Sequence, residues 1–391
     1  MSYTTTGAHS RPSSAAHRRG SGSSGGLDRL RGLLPYVDFI LVGVLGALSL
    51  LSVVMVLAAT HGPRTTTNDF FFMQRQIIYI SMGVAAMVAV ASFDYRRLLD
   101  WWRPIYAVGL LGLVAVLILG TEAKGAQRAF SVAGFQIQPA EFMKVALVVA
   151  IPAYLSQVEM SLETIVKAML LAGVPVGLIF LQPDLGTSLV VGILLLAVLL
   201  VAGAPKKVMF GLLGAAILAA AVLLSSNILD DFQKARLTNW VNPENVPANL
   251  RYNTEQSQIA VASGGLTGQG WMKGGQTSNG FVPEQQTDFI FTAIGEELGF
   301  VGAVGALSLY GVLLWRVLRT AQLATDRFGG LIAVAVFAIL LFQIFENVGM
   351  SLGIMPVTGI PLPYMSYGGS STLVAFAFMG LIQNIHMRRF T

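Results

Sequence analysis

Residues 36–59 read YVDFILVGVLGALSLLSVVMVLAA, an apolar run interrupted by a single charge at Asp38. A helix of that length rises about 36 Å, enough to cross a hydrocarbon core of roughly 30 Å. Comparable runs recur at 70–92, 104–120, 139–157, 163–181, 187–204, 207–226, 288–315, 328–350 and 371–387. The chain therefore reads as an all-α integral membrane protein with about ten transmembrane helices. Composition agrees: 54% of the residues are hydrophobic and 12% charged, too few charges to coat a water-soluble surface of 391 residues.

The net charge of +5 is concentrated rather than spread. Arg11, Arg18, Arg19, Arg29 and Arg31 against Asp28 put +4 of it before the first span. Residues 1–31, rich in Ser and Gly, lack the apolar surface to offset ordering entropy and are expected to be a disordered, basic cytoplasmic tail. A solvated run that sets topology explains that charge better than a nucleic-acid partner. No apolar core follows the tail until Tyr36, so it does not read as a cleavable signal. The basic residues Arg96, Arg97, Arg103, Lys206, Lys207, Arg316, Arg319, Arg327, Arg388 and Arg389 all fall on the tail's side of the threading, which puts both termini in the cytoplasm.

Two connections on the opposite side stand out from the remainder of the membrane domain, 32–391. Residues 227–287 form a large, polar, Gly-rich extracytoplasmic loop, and the Pro- and Gly-rich stretch 352–370 suits a loop re-entering the protein, where irregular backbone is tolerated if buried or lining a wet cavity. Within the large loop, Gly264 to Gly270 lacks the Lys-Ser/Thr ending of a phosphate loop and reads as turns. The absence of cysteine and the peripheral positions of His9, His17, His61 and His386 exclude thiol chemistry, zinc sites and Ser-His relays within the spans. Any acid–base work falls to carboxylates, lysines or tyrosines.

Charged groups within spans are costly, and each marks a candidate site. Glu141 and Lys144 share one helix face, Asp184 sits in the tight turn LQPDLG, Arg128 precedes the fourth span and Glu346 closes the ninth. Asp288 opens the eighth span, with Glu296 and Glu297 roughly 12 to 14 Å deeper along a continuous helix. For each a structural reading stands beside the chemical one. Glu141 with Lys144, and Asp184 with Lys144 or Arg128, could be ion pairs that hold helices, and Asp288 could cap its helix. All of them cluster at the outer end.

Four stretches, Gln138 to Lys144 (QPAEFMK), Leu181 to Leu189 (LQPDLGTSL), Phe281 to Val301 (FVPEQQTDFIFTAIGEELGFV) and Asn347 to Thr372 (NVGMSLGIMPVTGIPLPYMSYGGSST), resemble the signatures of the SEDS family of shape, elongation, division and sporulation proteins. MPVTGIPLP is closer to the family's RodA branch than to its FtsW branch. The resemblance implies a SEDS-type fold and a peptidoglycan glycosyltransferase that polymerises lipid II into β-1,4 glycan strands outside the membrane. Its implied partners are a class B penicillin-binding protein and other elongation-complex proteins. It maps the family's essential aspartate onto Asp288, here the expected general base. The remaining motif positions, expected to bind substrate, fall on Lys144, Arg128, Glu141 and Asp184, joined by Arg251, Glu296, Ser366 and Ser370. A divalent cation (Mg or Mn) at the diphosphate is expected, and no organic cofactor. Ala140 and Phe130 depart from the Ser and Trp of many relatives, at positions without a role in proton transfer. The competing reading is a lipid II flippase, which needs a midplane site reachable from both sides.

Overall fold

The computed structural model describes residues 34–62, 70–123, 126–132, 135–225, 238, 240 and 248–390. The basic tail at 1–31 and much of the first part of the large loop lie outside the described residues. Thirteen α-helices are described: α1 (Phe39–Thr60), α2 (Phe71–Ser92), α3 (Leu98–Leu119), α4 (Pro139–Ser156), α5 (Leu162–Phe180), α6 (Leu185–Ala202), α7 (Lys206–Ser225), α8 (Ala248–Ser263), α9 (Gly275–Ser278), α10 (Ile290–Glu297), α11 (Gly299–Leu323), α12 (Arg327–Ser351) and α13 (Gly369–Arg388). Eight helical segments, Tyr95–Leu119 among them, are long and apolar enough to cross a membrane, so this is a multi-pass membrane protein. The last helix, α13, is more polar, yet its Gln383, Asn384 and His386 are buried against protein rather than lipid.

Side chains at the turns start the helices. Asp38 accepts from Leu41 N, Ser161 from Thr164 N, Asp184 from Thr187 N and Asp326 from Gly329 N, each satisfying a donor that a helix N-terminus leaves without an intrahelical partner. Pro139 opens α4, where a missing N–H costs nothing. The helices α4 and α12 form the buried centre of the bundle, packing on each other and on α6. Close approach of α2 and α13 depends on small residues. A Cβ at Gly380 would lie 2.7 Å from Met87 O.

Contacts among the turns define two ends. At the arginine end, Arg96 lies 3.7 Å from Asp326, Arg388 lies 3.6 Å from Asp94, Arg327 donates to Ala202 O and Tyr36 stacks on Phe390. Most of the basic residues expected on one side thus gather at one end. At the other, a three-stranded antiparallel sheet, β1 (Thr121–Ala123), β2 (Ala126–Val132) and β3 (Phe135–Ile137), joins α3 to α4. The sequence reading left this segment as a loop. The sheet packs on α4 and α13, and Gln138 before α4 bonds Asp184 at the start of α6.

The eighth span is not the continuous helix expected. It breaks at Leu298 and Gly299 into α10 and α11, with Gly299 at φ +66. The broken ladder leaves carbonyls of α10 and amides of α11 to be satisfied, and the glycine stretch after α8 supplies the partners. Gln269 N and Gly270 N donate to Glu296 O and Glu297 O, while Phe300 N and Val301 N donate to Gly265 O and Leu266 O. Only glycine fits at this crossing: a Cβ at Gly264 would stand 1.9 Å from Gly295 O, and one at Gly299 would stand 2.2 Å from Gly268 N. The stretch Gly264 to Gly270 is therefore a brace for a broken helix, and the large loop includes the 16-residue helix α8, which packs on α10.

Candidate active site

Residues 352–368 enter the bundle as irregular backbone, with Ile360, Leu362, Tyr364 and Met365 buried. Side chains from four helices satisfy its carbonyls. From α1, Ser52 donates to Met365 O (2.7 Å), and from α2, Gln76 donates to Ser366 O (3.3 Å). From α11, Tyr310 donates to Pro363 O (2.6 Å), and from α12, Asn347 donates to Ile360 O (2.9 Å). Such pairing is what allows non-helical chain at membrane depth. Tyr364 holds φ at +63, a conformation a non-glycine residue adopts only when its surroundings impose it. Its hydroxyl donates to Ala375 O at 2.7 Å and its ring meets Phe376 edge-on, which fixes the turn.

Beneath this loop is a small cleft of about 10 Å³, room for about one water-sized group, whose lining includes Glu141, Lys144, Gln343, Ser366 and Thr372. Lys144 Nζ lies 2.8 Å from Glu141 Oε1, and both side chains are almost wholly buried. The i,i+3 spacing on α4 brings them to one face, and the pairing offsets the cost of taking two charges out of water. A paired ammonium thus stands in a mostly apolar cleft inside the bundle.

Asp288 lies at the β end, half-buried in the turn before α10. The N-cap position of that helix falls on Phe289 rather than on Asp288. Backbone contacts tie its segment to the re-entrant loop. Asn347 Nδ2 donates to Asp288 O at 2.8 Å as well as to Ile360 O, and Tyr367 N donates to Gln286 O at 2.8 Å. One buried amide therefore clamps the aspartate's segment to the roof of the cleft.

The remaining candidates divide by what their atoms already hold. Asp184 accepts from Thr187 N (3.0 Å), Thr187 Oγ1 (2.9 Å) and Gln138 Nε2 (3.1 Å), amide and hydroxyl donors in place of the Lys144 or Arg128 charge that the sequence allowed. Ser370 accepts from Gln138 N and donates to Gln136 O, fastening α13 to the entrance of α4. Ser366 accepts from Leu362 N within the roof loop and also lines the cleft. Glu296 sits away from that group, its two oxygens accepting from Gln276 N, Thr277 N and Thr277 Oγ1 to hold α9. Arg251 on α8 pairs with Glu255 at 2.5 Å, and Arg128 stands half-buried on β2. Glu346 takes a bond from Thr358 Oγ1 on the roof loop.

The sequence reading passed over Arg75, one turn into α2. Its guanidinium lies 4.5 Å above Phe71 and 5.7 Å from Phe135, beside Tyr367 of the roof loop. A lone basic residue in the apolar run FFMQRQIIYI was the available signal. Around it, Tyr79 meets both Phe135 and Tyr367, so sheet, α2 and roof loop share one aromatic cluster.

The chain as a whole is similar to proteins already known. Residues 36–390 match the profile of the FtsW/RodA/SpoVE family of cell cycle proteins. The peptidoglycan glycosyltransferase MrdB of Escherichia coli K12 is 37% identical over 327 residues, covering 82% of this chain and 87% of that protein. Among solved structures, a chain from work on structural coordination of polymerization and crosslinking by a peptidoglycan synthase complex superposes with a TM-score of 0.78 at 31% identity, covering 91% of this chain and 99% of that one. The rod shape determining protein RodA of Thermus thermophilus gives 0.68 at 30% identity, covering 91% and 98%. With similarity running through nearly the whole membrane domain, the chain belongs to the FtsW/RodA/SpoVE family.

Proposed function

We propose that this protein is a peptidoglycan glycosyltransferase that polymerises lipid II into β-1,4 glycan strands during cell elongation, with Asp288 as general base. The observation that carries the reading is the Asn347 clamp, which joins the Asp288 segment to the roof of a cleft containing a buried cation. The acceptor sugar's 4-hydroxyl loses its proton to the Asp288 carboxylate as its oxygen attacks the anomeric carbon of the donor, and the diphosphate leaves with the lipid. Positioned proton transfer of this kind contributes typically 10²- to 10⁴-fold. Charge developing on the diphosphate needs fixed cations, for which Lys144 and Arg75 are the best-positioned groups, with Arg128 and Arg251 further candidates.

A divalent cation, Mg or Mn, would arrive with the substrate's diphosphate. The described residues contain no group of three His, Cys, Asp or Glu side chains suited to hold one, and Asp184 and Glu141 are already engaged. Such an ion commonly takes one or two carboxylates plus phosphate oxygens. No organic cofactor is invoked.

The β end would face outward and the arginine end the cytoplasm, with both termini there, as the positive-inside rule prescribes. A class B penicillin-binding protein and other elongation-complex proteins would be membrane partners, in line with the synthase complex that contains a similar chain. The flippase reading is weaker because the candidate catalytic and substrate-binding residues collect toward the β end rather than at the midplane. In the test, purified protein with its penicillin-binding partner is given lipid II. Glycan polymer is expected; transbilayer movement of lipid II without polymer would favour the carrier instead.

A further inference from the structure

Where α1 begins and α11 and α13 end, the charges do not balance. Arg316 and Asp38 form a buried pair, with Asp38 Oδ2 at 2.6 Å from Nη2 and 2.7 Å from Nε. The other carboxylate oxygen caps α1 through Leu41 N, so Asp38 is fully committed. Beside this pair lie Arg319, exposed one turn further along α11, and Arg389, half-buried just past α13. Neither has an ion-pair partner among the described residues, and the Nε of Arg389 is buried without a hydrogen bond. The proximity is felt electrostatically. Burial first, then the Arg319 and Arg316 charges, hold the Arg389 pKa below its ordinary value, against a smaller opposing effect of Asp38.

The surroundings are those of a membrane interface. Trp315, 51% exposed, underlies both Arg316 and Arg319 at 5.4 and 5.6 Å, while Phe390, also 51% exposed, lies 4.4 Å beneath Arg389 and stacks on Tyr36 at 5.1 Å. Amphipathic rings of this kind sit at headgroup depth. Two surplus guanidiniums held between helix ends, above an apolar and aromatic wall, fit a phosphate attached to acyl chains better than a phosphate free in water.

We propose that Arg319 and Arg389, with Trp315 and Phe390 as the apolar floor, form a binding site for an anionic phospholipid in the leaflet at the arginine end. The lipid phosphate supplies the counter-charge that Asp38 cannot. This site is separate from the cleft at the β end and does not depend on the catalytic reading.

The test titrates the purified full chain with phosphatidylglycerol, phosphatidylcholine and inorganic phosphate, following bound lipid by native mass spectrometry. Wild type is expected to prefer phosphatidylglycerol about thirtyfold, from roughly two charge contacts. The double variant Arg319→Gln/Arg389→Gln should bind the two lipids within about twofold of each other, whereas Arg103→Gln, a basic residue stacked on Trp102 elsewhere at this end, should keep the preference. Without anionic lipid, the double variant should unfold no lower than wild type, since it relieves like-charge repulsion. A preference that survives the double variant, is lost equally in Arg103→Gln, or is competed away by inorganic phosphate would overturn the proposal. So would a double variant that unfolds lower in the absence of anionic lipid, which would mark the pair as structural.

Discussion

Replacing Asn347 by leucine tests the clamp between catalytic segment and cleft. Its side chain is wholly buried and donates twice from one nitrogen, to Asp288 O at 2.8 Å and Ile360 O at 2.9 Å. Leucine keeps similar volume and removes both bonds, at a net cost of about 1 kcal/mol each, and more if either carbonyl is left dry. The total is about 2 to 4 kcal/mol. The bond to Asp288 O is only part-buried, which favours the lower figure. If the loss falls on the catalytic segment alone, about 2 kcal/mol corresponds to roughly a thirtyfold fall in kcat for glycan polymerisation, with the melting temperature little changed. If it falls on the whole bundle, the melting temperature drops by several degrees instead. Polymerisation kinetics and thermal unfolding in detergent, measured on one preparation, separate the cases. A variant with unchanged kcat and unchanged melting temperature would refute the clamp.

Further outcomes follow from the same geometry. Gly299→Ala should destabilise strongly, adding about 1–2 kcal/mol of left-handed backbone strain to a clash with Gly268 N, and should lower folded yield by size-exclusion chromatography. Glu141→Gln should cost about 3–5 kcal/mol by leaving the Lys144 charge buried and uncompensated, whereas Glu141→Leu/Lys144→Leu should recover much of the thermal stability without recovering polymerisation. Asp184→Ala should lose about 1–2 kcal/mol in thermal unfolding through its missing cap, and Asp184→Asn less, because an amide oxygen still accepts from Thr187 N.

The spans were legible because hydrocarbon thickness imposes length and apolarity directly on sequence, and α1 to α7, α12 and α13 lie within a few residues of the expected runs, α3 beginning earliest. The Glu141–Lys144 pair was legible from i,i+3 spacing. What escaped depended on distant partners. The run from Ile290 to Val301 has no proline, and its break is stabilised by backbone groups some thirty residues earlier in the chain. The three strands β1 to β3 are short, and local pattern does not distinguish them from a loop. Asp184 looked like an ion-pair partner until the Gln138 amide and the Thr187 hydroxyl appeared beside it. Arg75 drew no notice because its meaning lies in Phe135 and Tyr367, which fold against it from other elements.

The base assignment has the most direct test. Asp288→Asn removes proton acceptance while preserving size and the backbone carbonyl that Asn347 holds. Given lipid II and the cognate penicillin-binding protein, the variant should be expressed, melt and bind its partner like wild type yet fall by at least about 10²-fold in glycan polymerisation. Polymer formed at a rate near wild type would contradict the assignment.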